Sequence, residues 1–184
     1  MANTWILTAV GKDRPGIVAR VTKMLFGLGC NLENSTMTRL GGEFAIMLAF
    51  SSSKPLTSRR IEKACEPLSN ALKLAVHLKP LAKPAAGHAE GGKQLYFISV
   101  YGADRPGIVY RVSQLLADLQ VNITDVSTHR TPPAPGRAKP LYLMLLEVEL
   151  PPRVGGEQLE ARLRKLGGQL GCEVSLRSAE AQVF

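Results

Sequence analysis

Gly11-Lys12-Asp13-Arg14-Pro15-Gly16-Ile17-Val18 is written a second time, with one substitution, as Gly102-Ala103-Asp104-Arg105-Pro106-Gly107-Ile108-Val109. Seven of the eight positions agree at a constant offset of 91. A repeat of that length means one supersecondary unit present twice. Each copy follows an apolar run suited to a strand, Thr4 to Val10 or Leu95 to Tyr101, and opens an amphipathic helix. In such a strand-loop-helix turn, Gly11 and Gly102 are expected to supply the torsions of a tight strand exit. Asp13 and Asp104 are expected to accept from the unpaired N–H groups of the first helical turn. Pro15 and Pro106 suit a helix start, where a missing N–H costs nothing. Gly16 and Gly107 leave room for an anion at the positive end of the helix dipole.

Working outward, Ile17, Val18, Val21, Leu25 and Leu28 recur at helical spacing until Gly29, and a strand follows from Asn31 to Leu40. Gly41-Gly42 reads as a hairpin turn into an apolar strand, Glu43 to Phe50. A second helix begins near Thr57 with Ile61, Cys65, Leu68 and Leu72 inward, and Pro67 threatens it with a kink. Leu74, Val76 and Leu78 then alternate along a last strand. The second copy repeats this plan. Its first helix turns Ile108, Val109, Val112, Leu116 and Leu119 inward, and a strand runs from Asn122 to Arg130. Leu141 to Leu150 is a strand, Glu157 to Leu170 a helix, and Cys172 to Arg177 a closing strand. Where the first copy has two glycines, the second has a prolyl loop over 131–138, a candidate contact surface.

The expected fold class is therefore α+β: two ferredoxin-like βαββαβ domains, each a four-stranded antiparallel sheet with two helices on one face. Residues 1–80 form the first domain, 81–93 a Pro-, Ala- and Gly-rich linker, 94–178 the second domain and 179–184 a tail. Domains of this size are marginal alone, which favours packing of the repeats together or of two chains into a homodimer. Each sheet's second face is left open.

Net charge is +8, and it is uneven: residues 1–80 hold 11 Lys and Arg against 5 Asp and Glu, whereas 94–184 hold 10 against 9. No signal or membrane-spanning run is legible, so the expected location is cytoplasmic. Three widely spaced cysteines without a CxxC pattern indicate neither a disulfide framework nor a zinc site, and read as buried free thiols. His77, His88 and His129 have no metal partner at ligand spacing, and Ser35 to Thr38 have no base in reach. A phosphate loop and a dinucleotide turn are both missing. No catalytic set, metal or cofactor is expected, and the chain reads as no enzyme. Two other functions use this element order. An acylphosphatase-like hydrolase would pair Arg14 with Asn31, and an RNA-binding module would need stacking aromatics, for which Phe44 and Phe50 lie on one face.

Asp-Arg-Pro-Gly-Ile-Val between first strand and first helix, followed by Gly29-Cys30-Asn31-Leu32 at the second strand, resembles the ACT domain family of small-molecule regulatory modules. The resemblance spans both repeats. It implies an amino-acid ligand held between two such units, near the first loop and the start of the second strand. Carried over position by position, it implicates Gly11, Asp13, Arg14, Gly16, Ile17, Asn31 and Leu32 in one copy. In the other it implicates Asp104, Arg105, Gly107, Ile108, Asn122 and Ile123. Helix N–H groups behind Gly16 or Gly107 would meet the ligand carboxylate, and Asn31 or Asn122 would offer an amide. Ligand occupancy would then be passed to a protein partner such as a transcription factor, without direct contact to nucleic acid or membrane.

Overall fold

A computed structural model describes residues 3–81, 94–132 and 140–179, and the chain divides into two compact units, Met1–His88 and Ala89–Phe184. The first unit runs β1 (Asn3–Lys12), α1 (Ile17–Gly27), β2 (Cys30–Leu40), β3 (Glu43–Ser52), α2 (Ser58–Leu72) and β4 (Ala75–Leu81). The second runs β5 (Gln94–Ala103), α3 (Ile108–Asp118), β6 (Asn122–Thr131), β7 (Leu141–Leu150), α4 (Gly156–Leu170) and β8 (Cys172–Ser178). The sheets are antiparallel with strand orders β2-β3-β1-β4 and β6-β7-β5-β8. This is the expected βαββαβ arrangement twice. Leu81, expected to open the linker, instead ends β4, and the rest of that segment lies outside the described residues, as do 133–139 of the prolyl loop.

Alternation along the strands places one face of each sheet under its helices. In the first unit Leu7, Ile17, Leu48, Phe50 and Ile61 are fully buried together, each contributing about 1.5–3 kcal/mol of transfer free energy. Ile98, Ile108, Leu116, Met144 and Leu159 do the same in the second. Gly41 and Gly42 both have positive φ, as the two-residue hairpin turn requires. Thr57 caps α2 by accepting from the Arg60 N–H, and the helix continues through Pro67 without ending there.

Three expectations are corrected. Val18 and Val109 are 40% and 43% exposed rather than inward, because each stands one residue, or a hundred degrees of helix, beyond the buried Ile17 or Ile108. Cys65 and Cys172 are buried, but Cys30 at the edge-strand start is only half-buried. Phe44 and Phe50 do share a face, yet it is the one beneath the helices, where they are 2% and 0% exposed. Neither can stack on a base.

Candidate functional site

Both copies of the repeated turn are built alike. Gly16 has φ 89 and ψ 1, Gly107 φ 90 and ψ 0. These are the torsions of the third residue of a type II turn, whose second position favours proline, here Pro15 and Pro106. A Cβ placed on Gly16 or Gly107 would meet nothing within 4 Å, so glycine is required by torsion and the space beside it is open. The glycine carbonyls accept the first helical hydrogen bonds, from the Arg20 N–H at 3.0 Å and the Arg111 N–H at 2.9 Å. No side chain caps either helix. The first-turn N–H groups of α1 and α3 therefore point, with the positive end of the helix dipole, toward whatever sits at the tip.

The acids do not cap. Asp13 accepts from Arg39 Nη1 at 3.4 Å and Asp104 from Arg130 Nε at 2.7 Å, while their own N–H groups donate to the carbonyls of Gly42 and Pro140, each at 3.0 Å. The Pro-Gly turn carries each aspartate off the helix axis and against the end of the neighbouring hairpin, where register places Arg39 beside Phe44 and Gly11. Sequence reasoning missed Arg39 and Arg130. Their signal was the same offset of 91 that relates Asp13 to Asp104.

Gly11 and Gly102 serve sterics, not torsion. A Cβ on Gly11 would stand 2.8 Å from Leu74 Cδ2 and 2.9 Å from the Lys73 carbonyl oxygen. On Gly102 it would stand 2.9 Å from Cys172 Sγ and 3.0 Å from the Gly171 oxygen. The helix-to-strand turns after α2 and α4, with Lys73 and Gly171 in the left-handed region, press directly on these strands.

Arg14 and Arg105 are both exposed, and the Arg105 guanidinium lies over Gly171, with Nη1 3.1 Å from where that glycine's Cβ would be. A cation is favoured at that helix C-terminus. Burial pushes the Cys172 thiol up, against a smaller opposing pull from Arg105. Burial likewise raises Cys30, and together with Glu62 it pushes Cys65 up to about 11, so all three remain thiols at neutral pH. Burial also raises the Tyr142 hydroxyl, opposed by its hydrogen bond to Thr128 and aided by Asp104.

Register shows which proposed residues meet. Gly11 pairs with Phe44, and Arg39 pairs with Phe44 on its other side, so Gly11, Asp13, Arg14, Gly16 and Ile17 gather at the hairpin end of the first sheet. Asn31 and Leu32 pair with Ser51 and Phe50, which pair with Thr4 and Trp5 at the opposite end. The two groups are about 20 Å apart at roughly 3.3 Å per strand residue. The second unit separates Asp104, Arg105, Gly107 and Ile108 from Asn122 and Ile123 in the same way. No single unit unites both sets. Arg14 and Asn31 are also kept apart, which denies an acylphosphatase-like site its pair. Asn31, Leu32 and Asn122 are exposed and Ile123 half-buried, next to bulges that recur between Leu32 and Asn34 and between Ile123 and Asp125. Among the described residues no three His, Cys, Asp or Glu side chains cluster as a metal site needs, and no helix is long and apolar enough to cross a membrane.

Comparison with known proteins adds to this geometry. Profiles of the ACT domain match residues 3–79 and 96–168. The glycine cleavage system transcriptional repressor of Escherichia coli (strain K12) is 27% identical over 173 residues, which is 93% of this chain and 87% of that protein. A crystal structure of an unknown protein from Galdieria sulphuraria superposes with a TM-score of 0.82 at 25% identity, covering 97% of this chain and 99% of that one. A second crystal structure, provisionally assigned as a glycine cleavage system transcriptional repressor, gives a TM-score of 0.69 at 21% identity over 97% and 98% of the two chains, a likeness of fold. With two matched units, each carrying an uncapped helix tip behind a left-handed glycine, the chain belongs to the ACT domain family as a tandem of two ACT domains.

Proposed function

We propose that this chain is a non-enzymatic regulatory protein that senses an amino acid and transmits its occupancy to a protein partner, a transcriptional regulator of glycine cleavage. The observation that carries the reading is the pair of open, uncapped helix tips at Gly16 and Gly107. A carboxylate at either tip would accept from first-turn N–H groups that no side chain occupies. The similarity to the Escherichia coli repressor supports the link to glycine cleavage.

Asn31 and Asn122 lie too far from the tip of their own unit to share its ligand. In this reading a second copy of the chain supplies them, and ligand favours the arrangement it fits better. A glycine-sized ligand has about five heavy atoms. At a ceiling of roughly 1.5 kcal/mol per atom it gains at most about 7.5 kcal/mol, a micromolar constant at best. A sensor of that affinity responds across metabolite concentrations.

The test is a thermal-shift panel of the twenty amino acids on the full chain. At least one is expected to raise the melting temperature, with the rise reduced in a Gly16→Ala, Gly107→Ala double variant. A flat panel would sink the proposal.

A further inference from the structure

The open face of the second sheet carries a groove of about 440 Å³, lined entirely by second-unit residues and distinct from the helix tips. Register arranges it in rows across the strands. Asp125 pairs with Glu147, Glu147 with Phe97, and Phe97 with Arg177. The next row is Ser127, Leu145, Ser99 and Ser175, and beyond it lie His129, Leu143, Tyr101 and Glu173. The first row is thus acidic at one end and basic at the other, with an aromatic ring between. Phe97 and Leu145 are 38% and 44% exposed, an apolar floor left uncovered.

The polar groups of this floor are only partly used. Glu147 Oε1 accepts from the Thr124 hydroxyl at 2.8 Å, which orients the carboxylate and leaves its second oxygen for another donor. The Ser99 and Ser175 hydroxyls share one hydrogen bond at 2.7 Å, so one of their two protons remains to donate elsewhere. Among the described residues neither Arg177 nor Asp125 has an ion-pair partner.

The first unit provides an internal control. At the same register it has a groove of about 210 Å³ lined by Ile6, Asn34, Thr36, Met47 and Ala49. Lys79 stands beside Ile6 where Arg177 stands beside Phe97, but Asn34 and Ala49 replace both carboxylates. Both grooves keep a cation at one end, but the fold does not need the two carboxylates that the second groove carries.

We propose that the groove between Glu147 and Arg177 on the open face of the second sheet binds a zwitterionic amino acid with an apolar side chain. The ammonium group donates to Glu147 and Asp125, and the carboxylate accepts from Arg177 and the free seryl proton. The side chain lies over Phe97 and Leu145. Glu147 and Arg177 are two strand spacings apart, roughly 10 Å, a gap that a carboxylate and a guanidinium can close on a single amino-acid head.

The test uses the full chain, L-phenylalanine as probe, and amide proton–nitrogen spectra. Resonances of Phe97, Ser99, Leu145 and Arg177 are expected to shift on titration. Phenylalanine amide, which lacks the carboxylate, and phenylpropanoate, which lacks the ammonium group, are each expected to bind about tenfold or more weakly, the effect of losing a charged hydrogen bond. Arg177→Gln should reduce the preference for the amino acid over its amide, and Glu147→Gln the preference over phenylpropanoate. Shifts confined to the helix tips around Ile17 and Ile108 would overturn this site and leave the tip reading standing. No shift anywhere, or binding indifferent to both substitutions, would also overturn it.

Discussion

Two glycines of one motif stand for different physical reasons, and replacing each with alanine separates them. At Gly16 the cost is torsional: with φ 89 and no atom within 4 Å of the new methyl, Gly16→Ala loses about 1–2 kcal/mol from the left-handed conformation alone. Gly16→Asn should lose less, since asparagine tolerates that region. At Gly11 the conformation is ordinary strand, but the methyl would stand 2.8 and 2.9 Å from Leu74 Cδ2 and the Lys73 carbonyl, against a carbon contact optimum of about 3.5–4.0 Å. Overpacking of that kind costs about 1–3 kcal/mol. A second change, Leu74→Ala, cannot rescue it, because the Lys73 oxygen belongs to the backbone and stays. Trp5, the single tryptophan and 6% exposed in β1, reports the first unit selectively, so fluorescence-monitored melting reads both variants. At about 4–8 °C per kcal/mol for a unit of this size, each alanine should lower the melting point by several degrees. If Gly16→Asn were no better than Gly16→Ala, the torsional account would be wrong. If Gly11→Ala melted like the parent, the close approach of the Lys73 turn would be refuted.

Further expectations concern α2. Cys65 is a buried thiol pushed up to about 11 from 9.0, so its contribution is complete below about pH 9 and is lost as pH rises toward 11. Two pH units at about 1.4 kcal/mol each put the loss on the order of 2–3 kcal/mol. Cys65→Val should remove that part of the alkaline decline, measured as the difference between parent and variant in urea unfolding at pH 8 and above pH 11. Pro67 lies inside α2, where it cannot donate to the carbonyl one turn earlier. Pro67→Ala should therefore stabilise the first unit by about 2 kcal/mol, the helical gain less the entropy restored to the unfolded chain, seen as a higher tryptophan-monitored melting point. The exposed pair of Arg39 with Asp13 is worth at most about 1 kcal/mol, so Arg39→Ala should lower the melting point by no more than about 4–8 °C. A larger drop would mean that the loop depends on that pair.

Much of the fold is legible before any coordinates, and particular residues show where legibility ends. The repeated Asp-Arg-Pro-Gly, the glycine pair at 41 and 42 and the helical spacing of Ile17, Val21 and Leu25 each encode a local torsion or period, and the elements appear where these signals put them. The exposure of Val18 could not be read so, because hydrophobicity reports a residue's chemistry and not its angle from the core. The aspartates look like caps because their neighbours in the chain are helix N–H groups, yet Asp13 is claimed by an arginine 26 residues away.

The order of residues alone determined that a unit is doubled, that each copy runs βαββαβ, and that a Pro-Gly pair opens each first helix, since each of these is governed by torsions and contacts within a few residues. Tertiary structure alone decided that the helix tip and Asn31 lie at opposite ends of one sheet, that Gly11 faces the Lys73 carbonyl, and that Glu147, Phe97 and Arg177 stand in one row. Strand register fixes these relations, and register comes from how whole strands bury their faces against the helices, a condition that no short stretch of chain contains.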